Sequence, residues 1–318
     1  MIIHIKPRAE DMSPICSVVL LNWNGGEFTI PCIQSLLVGT VKPDKIVVVD
    51  NASVDGSADK ITATFPNVVM IRNETNRGFA GGNNQGIKYL LKQGVDYIWL
   101  LNNDTIVAAD CLEKLMATAI QYSQATGFSA KIFYDDPSDR IWYAGAYRHR
   151  WHLGVKHLLK PILDESAVNG AVPVPFISGC CMVVPSWTWR QYGSFIEEYI
   201  GYSEDSEWCW RVTRAGGKLY YVPGAVLWHK LSASIRKNTG GGNRYATSPW
   251  ACYFMYRNQI WTVRRHAKGF SRKLALSVNF CIIVKNIGIW LLEGKIDLVR
   301  SSIRGLTDGF LCDHKTTY

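Results

Sequence analysis

Through residue 125, apolar residues come in short unbroken runs that each stop abruptly at polar ones. The runs "ICSVVLLNW" (15–23), "KIVVVDNAS" (45–53), "VVMIRN" (68–73) and "YIWLLNND" (97–104) do not alternate apolar with polar positions. Runs of this length, rich in β-branched residues, read as strands buried on both faces. Helix candidates lie between and after them, at 26–37, 53–65, 78–94 and 108–122. Ser53 or Asp55 is the expected N-cap of the second. Pro31 fits the first only if it lies in the opening turn. The third begins as a glycine-rich turn running into a helix. Strands alternating with helices predict an α/β domain with a mostly parallel sheet covered by helices.

Three strand ends carry polar residues: Asn22-Trp23-Asn24, Asp50-Asn51 and Asn102-Asn103-Asp104. In open α/β sheets ligands bind beyond the carboxyl ends of the strands, so all three should open on one edge and floor a site there. Asp104 has two readings. It caps the next helix, or it is a ligand for Mg²⁺ or Mn²⁺, which often take one or two protein carboxylates and complete their shell with phosphate oxygens. Asp50 likewise reads as a partner for a base N–H or as an Asx-turn at its strand end.

Beyond residue 125 the pattern loosens. Residues 140–157 are basic and aromatic and read as a loop or hairpin. A buried strand is expected at 174–185, a helix from Ser186, and a helix from Ser206 to Ala215 stopped by Gly216-Gly217. Two strands follow, "KLYYVP" and "AVLWHK". Residues 239–245 read as a flexible loop, and the remainder as helical, with 248–266 and 271–294 the clearest segments. There are no internal repeats.

The 318 residues suffice for one large α/β domain with an appendage. With 47% apolar and 19% charged residues the chain is globular. Nine cysteines at irregular spacing, without a CxxC pair or a signal-peptide apolar region, predict reduced thiols and a cytosolic location. Charge changes the picture more. Residues 230–318 hold 15 of the 35 Lys and Arg but four of the 26 Asp and Glu, so the net +9 comes entirely from this last part. Such asymmetry points to an anionic partner. Residues 274–292 are interrupted by Ser277, Asn279, Lys285 and Asn286, which favours an interfacial amphipathic helix over a spanning one. Anionic lipid is the expected partner, a helical dimer interface around Trp250, Tyr253, Phe254 and Trp261 the alternative. Nucleic acid falls behind both, since no nucleic-acid module accompanies the charge. His149, His152 and His157 form a basic loop rather than a zinc site, for no Cys lies in range.

The chain resembles the family 2 glycosyltransferases of the GT-A fold, above all their rhamnosyltransferase-like members. The resemblance is carried, in order, by "SVVLLNWNGGEFTIPCIQSLL", "KIVVVDNASVDGS", "NRGFAGGNNQGIKY", "WLLNNDTIV", "FISGCCMVVP", "GYSEDSEWCWRVTRAGG" and "VLWHK". It implies a leader over 1–13, a GT-A domain over 14–235 and a basic helical segment over 236–318. It also implies inverting transfer of a sugar from a nucleotide-diphosphate donor, with dTDP-L-rhamnose expected. The alternatives are UDP-galactose, UDP-glucose or UDP-N-acetylglucosamine, or a non-catalytic nucleotide-sugar- or glycan-binding protein on the same fold. The implied acceptor is a glycan or a lipid-diphosphate-linked sugar of bacterial surface-polysaccharide synthesis. The implied location is peripheral, on the cytoplasmic face of the membrane.

The same resemblance distributes roles. Asn22, Asn24, Asp50 and Asn51 would hold the nucleotide base. Arg77 and Gly78 with Gly81, Gly82 and Asn83 would lie against ribose and diphosphate, the glycines admitting close approach and the helix offering N–H groups. Asn102 and Asn103 would touch the donor, and Asp104 with His229 would bind the divalent cation. "NND" departs from the family's commoner Asp-x-Asp, so only Asp104 keeps a carboxylate. Asp205 would be the base, with Glu204 its fallback or partner. Both also suit the first turn of a helix on dipole grounds alone. Arg211 is read as the ion-pair partner of Glu207, four residues earlier.

Overall fold

The structure, a computed structural model, describes residues 14–160, 170–230 and 248–312. The expected leader and the expected loop at 239–245 lie outside these residues. Ten strands form one sheet. Its first half is β1 (Cys16–Asn22), β2 (Ile46–Asp50), β3 (Val69–Arg72) and β4 (Tyr97–Asn102), all paired in parallel with β1 in the middle. The helices α1 (Gly26–Leu37), α2 (Ser57–Thr64) and α3 (Gly78–Gln93) connect them. Val18, Val19 and Leu20 of β1 and Val47, Val48 and Val49 of β2 are fully buried, as strands covered on both faces require.

The second half is mixed. A tight turn at 103–104 leads to β5 (Thr105–Val107), then α4 (Cys111–Gln121) and β6 (Gly127–Tyr134). Three short strands follow: β7 (Ile141–Tyr143) beside β6, and β8 (Ala146–Arg148) paired with β9 (Val155–His157) as the expected hairpin. The run at 174–185 is not one strand. It divides into β10 (Val172–Val174) and β11 (Cys181–Pro185), and β11 runs antiparallel between β4 and β6. After α5 (Ser186–Tyr192) and α6 (Glu204–Arg214) comes β12 (Leu219–His229). The two strands expected at 218–230 are this one strand, because its register against β6 shifts between Val222 and Val226 and absorbs Pro223-Gly224 as a bulge.

Two local expectations are corrected. Pro31 sits in the second turn of α1, where the helix continues past it. Gly56, at φ 74°, is the N-cap of α2 rather than Ser53 or Asp55. Those two side chains are used one step earlier. Ser53 Oγ accepts from the Asn24 N–H, and Asp55 Oδ1 accepts from the Ser57 N–H.

Three helices complete the chain: α7 (Pro249–His266), α8 (Gly269–Leu292) and α9 (Ile296–Leu311). The sequence pattern did not set α9 apart. Gly305 and Gly309 let it lie close on α7, where a Cβ would come within 2.5 Å of the Tyr253 carbonyl and 2.9 Å of Ile260. By length and composition α8 is apolar enough to cross a membrane, despite Asn279, Lys285 and Asn286, and 22% of its most apolar window is buried. Phe280, Ile282, Val284, Leu291 and Leu292 are exposed on it.

Candidate active site

The tips of β1 and β2 are tied by a network of polar side chains. Asn22, fully buried, donates from Nδ2 to Asp50 Oδ1 at 2.8 Å and to the Ser57 hydroxyl at 2.9 Å, and its Oδ1 accepts from Thr29 at 2.8 Å. Asp50 Oδ2 accepts from the Ser53 N–H at 3.1 Å, so the turn-capping reading describes how its carboxylate is used. Asn51 donates to Asn76 Oδ1 and the Gly78 carbonyl and accepts from Asn73 and the Arg77 N–H. Its hydrogen-bonding capacity is spent inside the protein. Asn22, Asp50 and Asn51 thus hold the strand tips together at the edge of the sheet. Trp23, 52% exposed, and Asn24 stand on that rim. Asn24 Oδ1 accepts from the Val54 N–H at 2.8 Å.

The glycine-rich segment is also used differently from the expected phosphate cradle. α3 begins at Gly78 itself, and its Phe79 and Ala80 N–H groups donate to the Ile200 carbonyl at 2.6 and 3.2 Å. They are not free for an anion. A Cβ on Gly82 would lie 2.3 Å from Leu21 and one on Gly86 2.4 Å from Val19. These glycines let α3 rest directly on β1. A Cβ on Gly81 would meet Arg77, and Asn83 is buried, donating to the Phe79 carbonyl one turn back. Arg77 pairs with Glu197 at 2.8 Å, both partly exposed. Of this group only Arg77 faces solvent with charge to offer.

Beyond β4 the picture differs. Asp104 is not a helix cap; that position before α4 is Asp110. Asp104 Oδ1 instead lies 3.0 Å from His229 Nε2, at the end of β12. The Asn102 amide lies 3.3 Å from the same nitrogen. Backbone pairing fixes the approach, because His229 stands opposite Thr105 in the β5–β12 register. Trp142 packs edge-on against the His229 ring at 5.0 Å. Asn103 points elsewhere, donating to the Thr29 hydroxyl at 2.8 Å.

Glu204 and Asp205 open α6. Asp205 Oδ2 accepts from the Gly179 N–H at 2.9 Å and Oδ1 from the Ser206 N–H at 2.6 Å. Burial raises the Asp205 carboxyl above its ordinary 3.8, and these backbone donors oppose the rise. Glu204 is more deeply buried. Its pKa is pushed well above 4.5, first by burial and then by Asp205's charge, and its Oε2 has no hydrogen-bond partner among the described residues. The expected Arg211–Glu207 pair is present at 3.0 Å, and His266 on α7 holds the other Glu207 oxygen at 3.0 Å.

The turn before β11 joins the two acidic sites. Gly179 binds Asp205, and the next residue, Cys180, accepts the Asn102 N–H at 3.0 Å. The Cys180 thiol is pushed well above 9.0 by burial, with the charges of Asp104 and Asp205 adding to the effect. Asp205 thus meets this turn at Gly179, and Asn102, two residues before Asp104, meets it at Cys180. Sequence reading did not single out Gly179-Cys180. Its only signal was the break of an apolar strand by "SG".

Comparison with known proteins identifies the family. The family model described as Glycosyl transferase family 2 matches residues 17–184, more than half of the chain. The chain belongs to glycosyl transferase family 2. It is 25% identical to N-acetylglucosaminyl-diphospho-decaprenol L-rhamnosyltransferase of Mycobacterium tuberculosis over 245 residues, covering 71% of this chain and 79% of that one. It is 24% identical to the dTDP-rhamnosyl transferase RfbF of Shigella flexneri, covering 83% and 85%. A solved structure of mannosyltransferase PcManGT from Pyrobaculum calidifontis, in complex with GDP-Man and Mn²⁺, superposes with a TM-score of 0.56. The two share 11% identity, and the match covers 96% of this chain and 89% of that one. The fold is GT-A.

For this family 2 member, the fit of a divalent cation can be judged from its own atoms. Adjacent ligands of an octahedral cation lie about 3.0 Å apart when each bond is about 2.1 Å. Asp104 Oδ1 and His229 Nε2 have that 3.0 Å spacing. Among the described residues no three His, Cys, Asp or Glu side chains gather as a metal site. Asp104 and His229 are thus the pair whose spacing suits a cation. His149 and His152 stack on each other at 4.0 Å, and His157 packs among Trp142, Tyr143 and Phe176.

Proposed function

We propose that the chain is an inverting glycosyltransferase that moves a sugar from a nucleotide-diphosphate donor to a glycan or lipid-diphosphate-linked acceptor, with L-rhamnose from dTDP-rhamnose the favoured donor. The observation that carries this reading is the Asp104–His229 pair at the end of β12, with Asp205 held at Gly179 in the turn whose Cys180 carbonyl binds the Asn102 N–H. The names of the rhamnosyl-transferring relatives support the choice of sugar.

In this reading Asp205 takes the proton of the acceptor hydroxyl as its oxygen attacks the anomeric carbon. The new C–O bond forms on the face opposite the bond to diphosphate, which breaks, and the nucleoside diphosphate leaves with that electron pair. The Gly179 and Ser206 N–H groups fix the carboxylate while leaving lone pairs for the hydroxyl. Glu204, whose pKa burial raises, sits beside the base. Asp104 and His229 would hold a Mg²⁺ or Mn²⁺ ion, which when bound stabilises charge on the departing diphosphate. Trp23 offers a flat face to the nucleobase at the β1 tip. The exposed apolar residues of α8, with Arg272 and Lys273 at its start and Lys285 within it, suit the surface of an anionic membrane that carries the acceptor.

A nucleotide-release screen tests the reading, with dTDP-rhamnose, UDP-galactose, UDP-glucose and UDP-N-acetylglucosamine and a lipid-diphosphate-linked N-acetylglucosamine acceptor. Release of dTDP with an inverted anomeric centre in the product, read by NMR, is expected. A product that retains the donor's configuration overturns the mechanism, and release from a UDP-sugar alone overturns the choice of donor.

A further inference from the structure

The segment that delivers Glu204 and Asp205 to the site has an unfavourable backbone. Ile200, Tyr202 and Ser203 have φ of 62°, 67° and 67°, the left-handed region that side chains rarely adopt. Ile200, with ψ of −59°, centres a positive-φ γ-turn, closed by the Gly201 N–H on the Tyr199 carbonyl at 2.6 Å. Nothing in "YIGYS" favours this path locally. The conformation is imposed from outside the segment.

Its carbonyls name the source. Asn258, on α7 and fully buried, lies with its amide nitrogen 2.9 Å from the Tyr199 carbonyl, 2.9 Å from that of Gly201 and 2.7 Å from that of Tyr202. Two amide hydrogens are shared among three acceptors. Asn258 Oδ1 is itself held by Arg257 Nε at 2.9 Å, and Arg257 donates to the Glu198 carbonyl at 2.6 Å. The Arg257 guanidinium is fixed in turn over the rings of Tyr253, Phe254 and Trp261. The remaining carbonyl, that of Ile200, is taken by the N-terminus of α3. The segment is thus clamped between the donor-side helix and the C-terminal helices.

We propose that Asn258 is a positioning residue for the base, holding residues 199–203 so that Asp205 meets Gly179. This makes α7 part of the catalytic architecture and not only an appendage. The inference rests on the reading of Asp205 as base, and its test separates the two. In Asn258→Asp, a residue of the same shape keeps the packing but presents oxygen to three carbonyls; Asn258→Ala removes the group.

The expected result is a fall in kcat of about 100-fold, the scale of a base misplaced by about 1 Å. The donor Kd by calorimetry should stay within threefold, and the proteins should stay folded. Hydrogen exchange at the amides of Phe79, Ala80 and residues 201–206 should rise at least tenfold in both variants, whatever the substrate proves to be. Unchanged exchange there overturns the inference, as does a kcat that falls only in proportion to the unfolded fraction. Raised exchange alongside full turnover in Asp205→Asn would leave the clamp standing and sink the base assignment alone.

Discussion

Replacing Gly86 by Ala separates the two uses a glycine-rich helix start can have. The added Cβ would lie 2.4 Å from Val19 Cγ1, 2.8 Å from Cγ2 and 3.2 Å from Cβ. Carbon atoms in contact sit about 3.5–4.0 Å apart. Val19 is fully buried on the central strand, and with both methyls met, no rotation of its side chain clears the clash. Overpacking of this kind costs about 1–3 kcal/mol. The better helix propensity of Ala offsets about 1 kcal/mol of it. With both methyls engaged the upper part of the range applies, leaving a net loss of about 1–2 kcal/mol. In a protein of this size the midpoint of thermal unfolding should drop by about 1.5–3 °C. Gly288→Ala on α8 is the control. Nothing lies within 4 Å of its added Cβ, so it should hold or raise the midpoint. Calorimetry on the folded Gly86→Ala protein should give an unchanged donor Kd. A variant as stable as wild type that loses donor affinity tenfold would refute the packing argument for Gly86.

Other outcomes follow from the acidic sites and α8. Burial raises the Asp205 carboxyl, so the base gains a proton and activity is lost as pH falls through that raised value; the acid limb of kcat/KM should lie above 3.8 and shift in Asp205→Glu. Glu204 binds its proton more tightly folded than unfolded, so stability should decline as pH rises from 4.5, and Glu204→Gln should flatten that decline in urea titrations. His229→Ala should weaken Mn²⁺ binding, read by electron paramagnetic resonance, by at least the roughly 10–100-fold seen for losing a ligand's supporting partner; unchanged affinity would remove His229 from the metal site. Phe280→Glu with Val284→Glu should lower cosedimentation with anionic vesicles at low salt, and wild-type protein that fails to bind them would end the membrane reading.

The sheet was legible in the sequence because strands covered on both faces leave unbroken apolar runs, and the polar residues that stop them mark the functional edge. Asp104 stood out for the same reason, a charge at the end of an apolar run, whereas Asp205 and His229 were singled out only through the family resemblance. The roles of the amides were not legible. Asn22 and Asn51 have the composition of ligand-binding groups, and only their four or more partners reveal them as fasteners. Glycines were ambiguous in the same way, since close approach of a phosphate and close approach of a strand demand the same missing Cβ. Left-handed Ile200, Tyr202 and Ser203 run against local propensity, and they cost about 1–3 kcal/mol each. Their support from Asn258 comes from 56 to 59 residues away, beyond the reach of any local pattern.

Turnover of Asp205→Asn with dTDP-rhamnose and Mn²⁺ tests the central claim most directly. The amide keeps the shape of the carboxylate but cannot take the acceptor's proton. The account predicts a kcat reduced about 10²–10⁴-fold, with donor and Mn²⁺ affinities within threefold of wild type. A kcat near the wild-type value, with binding intact, would contradict it and move the base to another residue.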